Sequence, residues 1–319
     1  MHYRRMGVLL LFGLVHAYLI WYGDILTAYA VCGMAAYLFR KVRPWILLVV
    51  GCLVISVYTG LMLGAHQILP YLPEQREEFI QSMQPSAEEI TKELEAYRGG
   101  WMAEMRARAP DAFQLQTVLF LLFMAWRAGG LMLVGMALFK LGFFSAKRSP
   151  GTYLAMIAAG LLIGVPIIIY GENQITQRNW EPIYTKFIGD QFNYWGSIPL
   201  SLAYVGFIML ICRQPRLQAA VRPLAAAGQM ALTNYLLQSV ICTTIFYGHG
   251  FGLFGRVERV GQIGIVLAVW IFELTLSPVW LSYFRFGPAE WMWRALTYGK
   301  LPALRRSVAG AILRDSSLS

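Results

Sequence analysis

The chain has 319 residues, of which 57% are hydrophobic and only 14% charged, and its mean hydropathy is +0.52. Soluble domains carry roughly 25% charged residues, so a water-soluble enzyme and a disordered chain are both excluded. The net charge of +10 would point to nucleic acid on a soluble protein, but here it must first be set against membrane topology.

In chain order, apolar segments lie at roughly 6–22, 25–39, 45–64, 116–139, 152–170, 197–212, 224–247 and 261–284. None alternates as a barrel strand would. Continuous apolar runs in lipid must satisfy their own backbone, which makes them helices. The predicted fold is therefore an all-α polytopic membrane protein of about eight transmembrane helices, forming a single membrane domain over 1–319. Arg4-Arg5 ahead of an apolar run, with Ala28-Tyr29-Ala30 further on, has the outline of a signal peptide. Gly23-Asp24 interrupts that run, so the first segment is read as a retained helix. Cys32, Cys52, Cys212 and Cys242 all fall in apolar stretches and read as buried free thiols rather than a disulfide framework.

With the N-terminus in the cytoplasm, alternating helices place seventeen of the 27 Lys and Arg at cytoplasmic turns, among them Arg4, Arg40, Lys147, Arg213 and Arg285. Fourteen of the seventeen acids fall outside. This is the positive-inside pattern of an N-in/C-in protein, and no nucleic-acid partner is expected; the lipid bilayer is. The long hydrophilic stretch 65–112 holds nine of the acids and is predicted to be an extracytoplasmic helical insert, with helices at 74–83 and 87–107. Pro85-Ser86 followed by Glu89 supplies a capping box for the second of these. The insert is a solvated cap or a lid over an external site. The outside stretch 171–195 carries Trp180, Tyr184, Tyr194 and Trp195, suited to an interfacial loop, and Gly248, Gly250, Gly252 and Gly255 around His249 suggest a flexible outside loop. Residues 285–319 form a cytoplasmic amphipathic tail, in which Glu290 and Arg294 sit at i,i+4 spacing. That tail is a membrane-surface anchor or a contact for a cytoplasmic anionic ligand.

Ionisable residues at bilayer depth are functional candidates by default. His16 lies about 16 Å along its helix from Arg5, Arg127 about 20 Å from Lys140, and Asn234 and Glu273 about 18 Å from Arg222 and Arg285. Four polar side chains from four helices thus reach a similar depth, with Gln238 one turn beyond Asn234 on the same face. A shared polar cavity explains this alignment. The alternatives are a structural Arg127–Glu273 ion pair and interhelical hydrogen bonds from His16, Asn234 and Gln238. Asp24 either closes a Gly-Asp turn or sets a carboxylate at the cavity mouth. No spacing suggests a metal site.

Three stretches together carry a resemblance. They are Arg4-Arg5-Met6 through His16 to Trp21-Tyr22-Gly23-Asp24-Ile25-Leu26; Gly228-Gln229-Met230-Ala231-Leu232-Thr233-Asn234-Tyr235 with Gln238-Ser239; and Phe286-Gly287-Pro288 with Glu290-Trp291 and Arg294. Together they resemble the YeiB-like bacterial integral membrane proteins, domain-of-unknown-function family 418. Members usually begin with further membrane segments, including an Asp-x-x-Arg-Gly stretch, and this chain starts where the family's Arg-Arg turn lies. The resemblance implies a bacterial inner (plasma) membrane location and a distant relation to transmembrane acyltransferases. On that implication no cofactor is bound, and acyl-CoA or a similar donor passes an acyl group to a small-molecule acceptor outside. His16 and Asp24 would be the catalytic pair, and Arg127, Asn234, Gln238 and Glu273 would bind substrate. Two other readings stay open, a small-molecule transporter using the same polar layer and a non-catalytic membrane partner protein. Oligomeric state is not legible.

Overall fold

The computed structural model describes residues 1–306. In chain order its helices are α1 (His2–Leu19), α2 (Leu26–Ala36), α3 (Pro44–Ile68), α4 (Pro73–Met83), α5 (Ala87–Arg98), α6 (Trp101–Gln116), α7 (Ala125–Lys140), α8 (Pro150–Ala159), α9 (Val165–Gln177), α10 (Pro182–Tyr184), α11 (Asp190–Cys212), α12 (Gln218–Gln229), α13 (Ala231–Phe246), α14 (Arg259–Tyr283) and α15 (Pro288–Tyr298). Proline opens α3, α4, α8 and α15, where its missing N–H costs nothing. The β-pairing among the described residues is one antiparallel bridge, Phe284 to Arg305.

Three π-turns, Phe120–Met124, Gly160–Gly164 and Thr185–Gly189, join neighbouring helices without ending them. Among the described residues, five helical stretches are consequently long and apolar enough to cross a membrane: Pro44–Tyr71, Trp101–Lys140, Pro150–Gln177, Pro182–Cys212 and Arg259–Tyr283. Leu26–Phe39 and Ala231–Phe246 are shorter apolar helices. The protein is all-helical and of the polytopic membrane type.

Several boundaries differ from the sequence expectation for physical reasons. The insert helix expected over 87–107 ends at Arg98, where Gly99-Gly100 breaks it, and a new helix begins at Trp101 and runs on through the π-turn to Lys140. The capping box does form: the Ser86 N–H donates to the Glu89 carboxylate at 2.7 Å, and the Glu89 N–H donates to Ser86 Oγ at 3.2 Å. The stretch 171–195 is mostly helical rather than looped. The segment expected over 224–247 is broken at Met230 (φ −109°, ψ 26°), which separates amphipathic α12 from apolar α13. Of the cysteines only Cys32 is buried; Cys52 and Cys212 lie exposed on apolar helices.

The chain folds as two compact units. The first comprises Met1–Met34, Thr91–Thr117 and Ala219–Ser319, and the second Ala35–Ile90 and Val118–Gln218. In the second unit α3 packs against α7 through glycines. A Cβ on Gly130 would lie 2.8 Å from the Gly51 carbonyl oxygen and 2.5 Å from Ile55 Cγ1, so only glycine permits this approach. Around it Ile55, Tyr58 and Tyr194 form a buried cluster. In the first unit Phe12, Leu26 and Ala289 form a core that brings α1, α2 and α15 together.

Candidate functional site

The site is built in the first unit from the end of α1, the turn that follows it, and the middle of α13. Helix α1 stops at Leu19, so His16 occupies its last turn. The sequence expectation placed His16 mid-helix; the Gly23-Asp24 turn ends the helix earlier. The chain then doubles back, and α2 starts against α1 at Gly13. A Cβ on Gly13 would fall 2.5 Å from Thr27 Oγ1 and 2.8 Å from Asp24 Oδ2, so glycine there lets the Asp24 carboxylate reach the His16 ring.

His16 Nδ1 lies 3.0 Å from Asp24 Oδ1, and His16 Nε2 lies 2.8 Å from Ser239 Oγ on α13. The three residues are 0%, 2% and 8% exposed respectively. Asp24 is held from several sides: the Thr27 N–H donates to Oδ2 at 2.8 Å and the Tyr235 hydroxyl donates to Oδ1 at 3.3 Å. Tyr235 in turn accepts from the Ile25 N–H at 3.2 Å, and its ring lies 4.9 Å from the imidazole. Burial alone would push the Asp24 carboxyl up, but hydrogen bonds from His16 and Thr27 outweigh it and hold the carboxyl below the usual carboxylate range. An ionised Asp24 takes the hydrogen bond from Nδ1–H, which leaves the lone pair of Nε2 directed at Ser239. Asp24, His16 and Ser239 therefore form one dry chain of hydrogen bonds with a defined tautomer.

The C-terminal end of α1 is closed by α6. Arg108 is fully buried and donates to the carbonyls of Tyr18 (3.3 Å), Leu19 (2.7 Å) and Ile20 (2.8 Å). Those are helix-terminal acceptors with no partner in the helix itself, and a cation there also matches the dipole. One turn earlier on α6, Glu104 accepts from the His249 backbone N–H at 3.0 Å and holds His249 Nδ1 at 2.7 Å. The glycine-rich loop is thus tightly seated rather than free. A Cβ on Gly248 would fall 2.0 Å from the Gly99 carbonyl oxygen, and one on Gly250 would fall 1.9 Å from that of Thr244.

Asn234 and Ser239 both lie on α13, beyond the break at Met230. Asn234 falls in the first turn of α13, where it donates to the Ala227 carbonyl and to Ser277 Oγ, both at 3.1 Å. The α13 residue that meets His16 is Ser239. Gln238 donates to Glu273 Oε2 at 2.6 Å, while Glu273 Oε1 has no hydrogen-bond partner among the described residues. In the second unit, Arg127 donates to the Tyr194 carbonyl at 2.5 Å and to Ser197 Oγ at 2.7 Å, and stacks over the Tyr194 ring. Arg127 and Glu273 thus each have partners inside their own unit.

Glu290 and Arg294 do not pair with each other as their spacing suggested. Glu290 accepts from the Thr233 N–H at 3.0 Å and from its hydroxyl at 2.5 Å, so it caps the start of α13, and Arg294 stacks over Phe286 at 4.5 Å. Residues 307–319 of the expected tail, Arg314 among them, lie outside the described residues. Between α13, α14 and α15 runs an apolar groove of about 580 Å³, lined by Leu236, Leu237, Val240, Trp280, Trp291 and Met292 among others.

Sequence reasoning gave no role to Ser239, Tyr235, Arg108, Glu104 or His249. Tyr235 and Ser239 stand at i,i+4, a spacing that aligns them on one face of α13. Nothing in the sequence showed that this face meets His16.

A family profile described as "Protein of unknown function (DUF418)" matches residues 138–300. The chain is 31% identical over 309 residues to the uncharacterized protein YxaH of Bacillus subtilis (strain 168), covering 93% of this chain and 72% of that protein. It is 30% identical over 297 residues to the uncharacterized protein YeiB of Escherichia coli (strain K12), covering 92% and 74%. An uncharacterized 39.9 kDa protein from the amylase 3′ region of Bacillus acidopullulyticus is 26% identical over 317 residues, covering 96% and 74%. No solved structure matches. The chain belongs to the DUF418 family of YeiB-like proteins.

Proposed function

We propose that this protein is an acyltransferase of the bacterial inner membrane. In this reading it is multi-pass and N-in/C-in, and it moves an acyl group from a cytoplasmic donor to a hydroxyl or amine acceptor reached from outside. The observation that carries the proposal is the buried Asp24–His16–Ser239 chain. Its tautomer equips Nε2 to accept a proton, which is what general-base catalysis requires. Asp24 orients the ring and stabilises the imidazolium that forms.

The apolar groove supports the acyl part of this reading. It follows α13 from Thr233 to Val240, a rise of about 10 Å. Its wall of Leu, Val and Trp side chains suits a hydrocarbon chain. Asn234 and Gln238 on α13, with Glu273 bonded to Gln238 from α14, would position the donor's carbonyl group. Arg127 is left out of this assignment because its guanidinium is committed to Tyr194 and Ser197.

The test is full-length protein in liposomes with a labelled acyl thioester and a mixed set of sugar and amine acceptors. His16→Gln keeps a hydrogen-bonding side chain but no proton-accepting nitrogen. It should insert normally and lose about 10²–10⁴-fold in transfer rate. Full activity in His16→Gln would sink the proposal. Solute flux that depends on His16, with no acyl donor consumed, would favour the transporter reading.

A further inference from the structure

We propose that Ser239 is the nucleophile of a two-step transfer and carries the acyl group as an ester between the steps; this rests on the acyl-transfer reading above. His16 has two ring nitrogens, and with Nδ1–H donated to Asp24 it has a single lone pair to offer, on Nε2. That lone pair is already engaged by the Ser239 hydroxyl at 2.8 Å in a site closed to water. The proton His16 is placed to remove is therefore the one on Ser239. An acceptor attacking directly would first have to displace that hydroxyl from a buried hydrogen bond.

A serine in mid-helix ordinarily returns its proton to the carbonyl one turn back. Ser239 retains only the weaker form of that contact, 3.3 Å to the Tyr235 carbonyl, against 2.8 Å to His16. The surroundings also suit a nucleophile. Asp24 is fixed by Thr27 and Tyr235, so the imidazole does not rotate away.

The chemistry balances without a cofactor. In the first step Ser239 Oγ bonds to the acyl carbonyl carbon as its proton passes to His16 Nε2. The bond from that carbon to the donor's leaving atom breaks, and the leaving thiolate or alkoxide takes the proton from Nε2. In the second step the acceptor hydroxyl or amine attacks the seryl ester and gives its proton to Nε2. The Oγ–acyl bond breaks, and that proton returns to Ser239 Oγ.

The experiment uses the purified full-length chain with two reagents. One is a fluorophosphonate probe, which needs an activated serine but no acyl donor. The other is labelled acetyl- or palmitoyl-CoA without acceptor. Peptide mass spectrometry reads the adduct on Ser239. Adducts on Ser239 that slow at least about 100-fold in His16→Gln and vanish in Ser239→Ala are the expected result. Ser239→Cys should accumulate a hydroxylamine-labile acyl thioester, which shows that the site folds with a nucleophile of similar size. Absence of any Ser239 adduct from either reagent overturns the proposal, as does undiminished transfer in Ser239→Ala. Transfer that survives Ser239→Ala but is lost in His16→Gln leaves the acyltransferase reading standing without the serine. Phosphonate labelling of Ser239 in a protein that consumes no acyl donor does the reverse.

Discussion

His16 Nδ1 and Asp24 Oδ1 meet at 3.0 Å across the turn that ends α1, and both side chains are closed off from solvent. The pair fixes which imidazole nitrogen carries the hydrogen, so Asp24→Asn is an informative change. The amide can offer its NH₂ to Nδ1, which would move the hydrogen to Nε2 and present Ser239 with a donor instead of an acceptor. Transfer should fall about 10²–10⁴-fold although the fold is kept. The acid dependence follows from the lowered Asp24 carboxyl. A carboxyl that titrates lower folded than unfolded stabilises fully above the unfolded value of about 3.9, and that contribution disappears as pH falls through the folded value. Wild type should melt above Asp24→Asn at neutral pH, and the gap should close in strong acid. A gap that widened on acidification would contradict the sign.

The helical membrane class and the location of the apolar segments were legible because lipid demands long, self-satisfied apolar helices. His16 and Asp24 were legible as costly polar groups in or beside such segments. Their partner was not. Spacing from the nearest cytoplasmic charge assumes an unbroken helix, and the break at Met230 shifts α13 so that Ser239, five residues beyond Asn234, faces His16. Arg108 and Glu104 were hidden for a different reason. In a stretch rich in charge they read as solvated, and only the return of α6 onto the end of α1 buries them.

Arg108 serves as a cap for α1 that comes from another helix. Its five N–H donors form a planar fork, and three of its nitrogens are engaged by successive carbonyls. Arg108→Met leaves those acceptors without a donor and should destabilise the first unit by on the order of 3 kcal/mol, given about 1–3 kcal/mol for each buried group left unsatisfied. Arg108→Lys keeps the charge but not the fork, so it should recover only part of the loss. Thermal melts in detergent, followed by tryptophan fluorescence, measure both. Equal stability of the lysine variant and wild type would show that charge alone matters.

Orientation is tested at two exposed positions. Ile90 lies in the acidic insert and Lys147 in a basic turn, which the positive-inside pattern assigns to opposite faces. In a background without the native cysteines, Ile90→Cys should react with an impermeant thiol reagent in intact cells, and Lys147→Cys should react only after permeabilisation. The reverse pattern would invert the topology and with it the proposed direction of acyl transfer.

Glu290 and Thr233 provide the last test, because they tie the start of α13 to α15. The carboxylate accepts both the N–H and the hydroxyl of Thr233, and the Thr233 hydroxyl accepts in turn from the Ala289 N–H at 3.0 Å. A side-chain carboxylate over the first turn of α13 both satisfies a free N–H and complements the positive helix end. Glu290→Gln keeps an acceptor but loses the charge, while Thr233→Val removes the hydroxyl and keeps the N–H. Each should lower the melting temperature. Because the two changes break one shared network, the double variant should lose less than the sum, by about 0.5–3 kcal/mol. The consequence extends to the site. Helix α13 carries Ser239 six residues beyond Thr233, about 9 Å along the axis, so loosening its start should disturb the Ser239–His16 contact. Fluorophosphonate labelling of Ser239 should slow in Glu290→Gln even where the protein remains folded. Labelling at the wild-type rate in that variant would confine the Glu290 contact to stability, whereas additive losses in the cycle would show that the two side chains act independently.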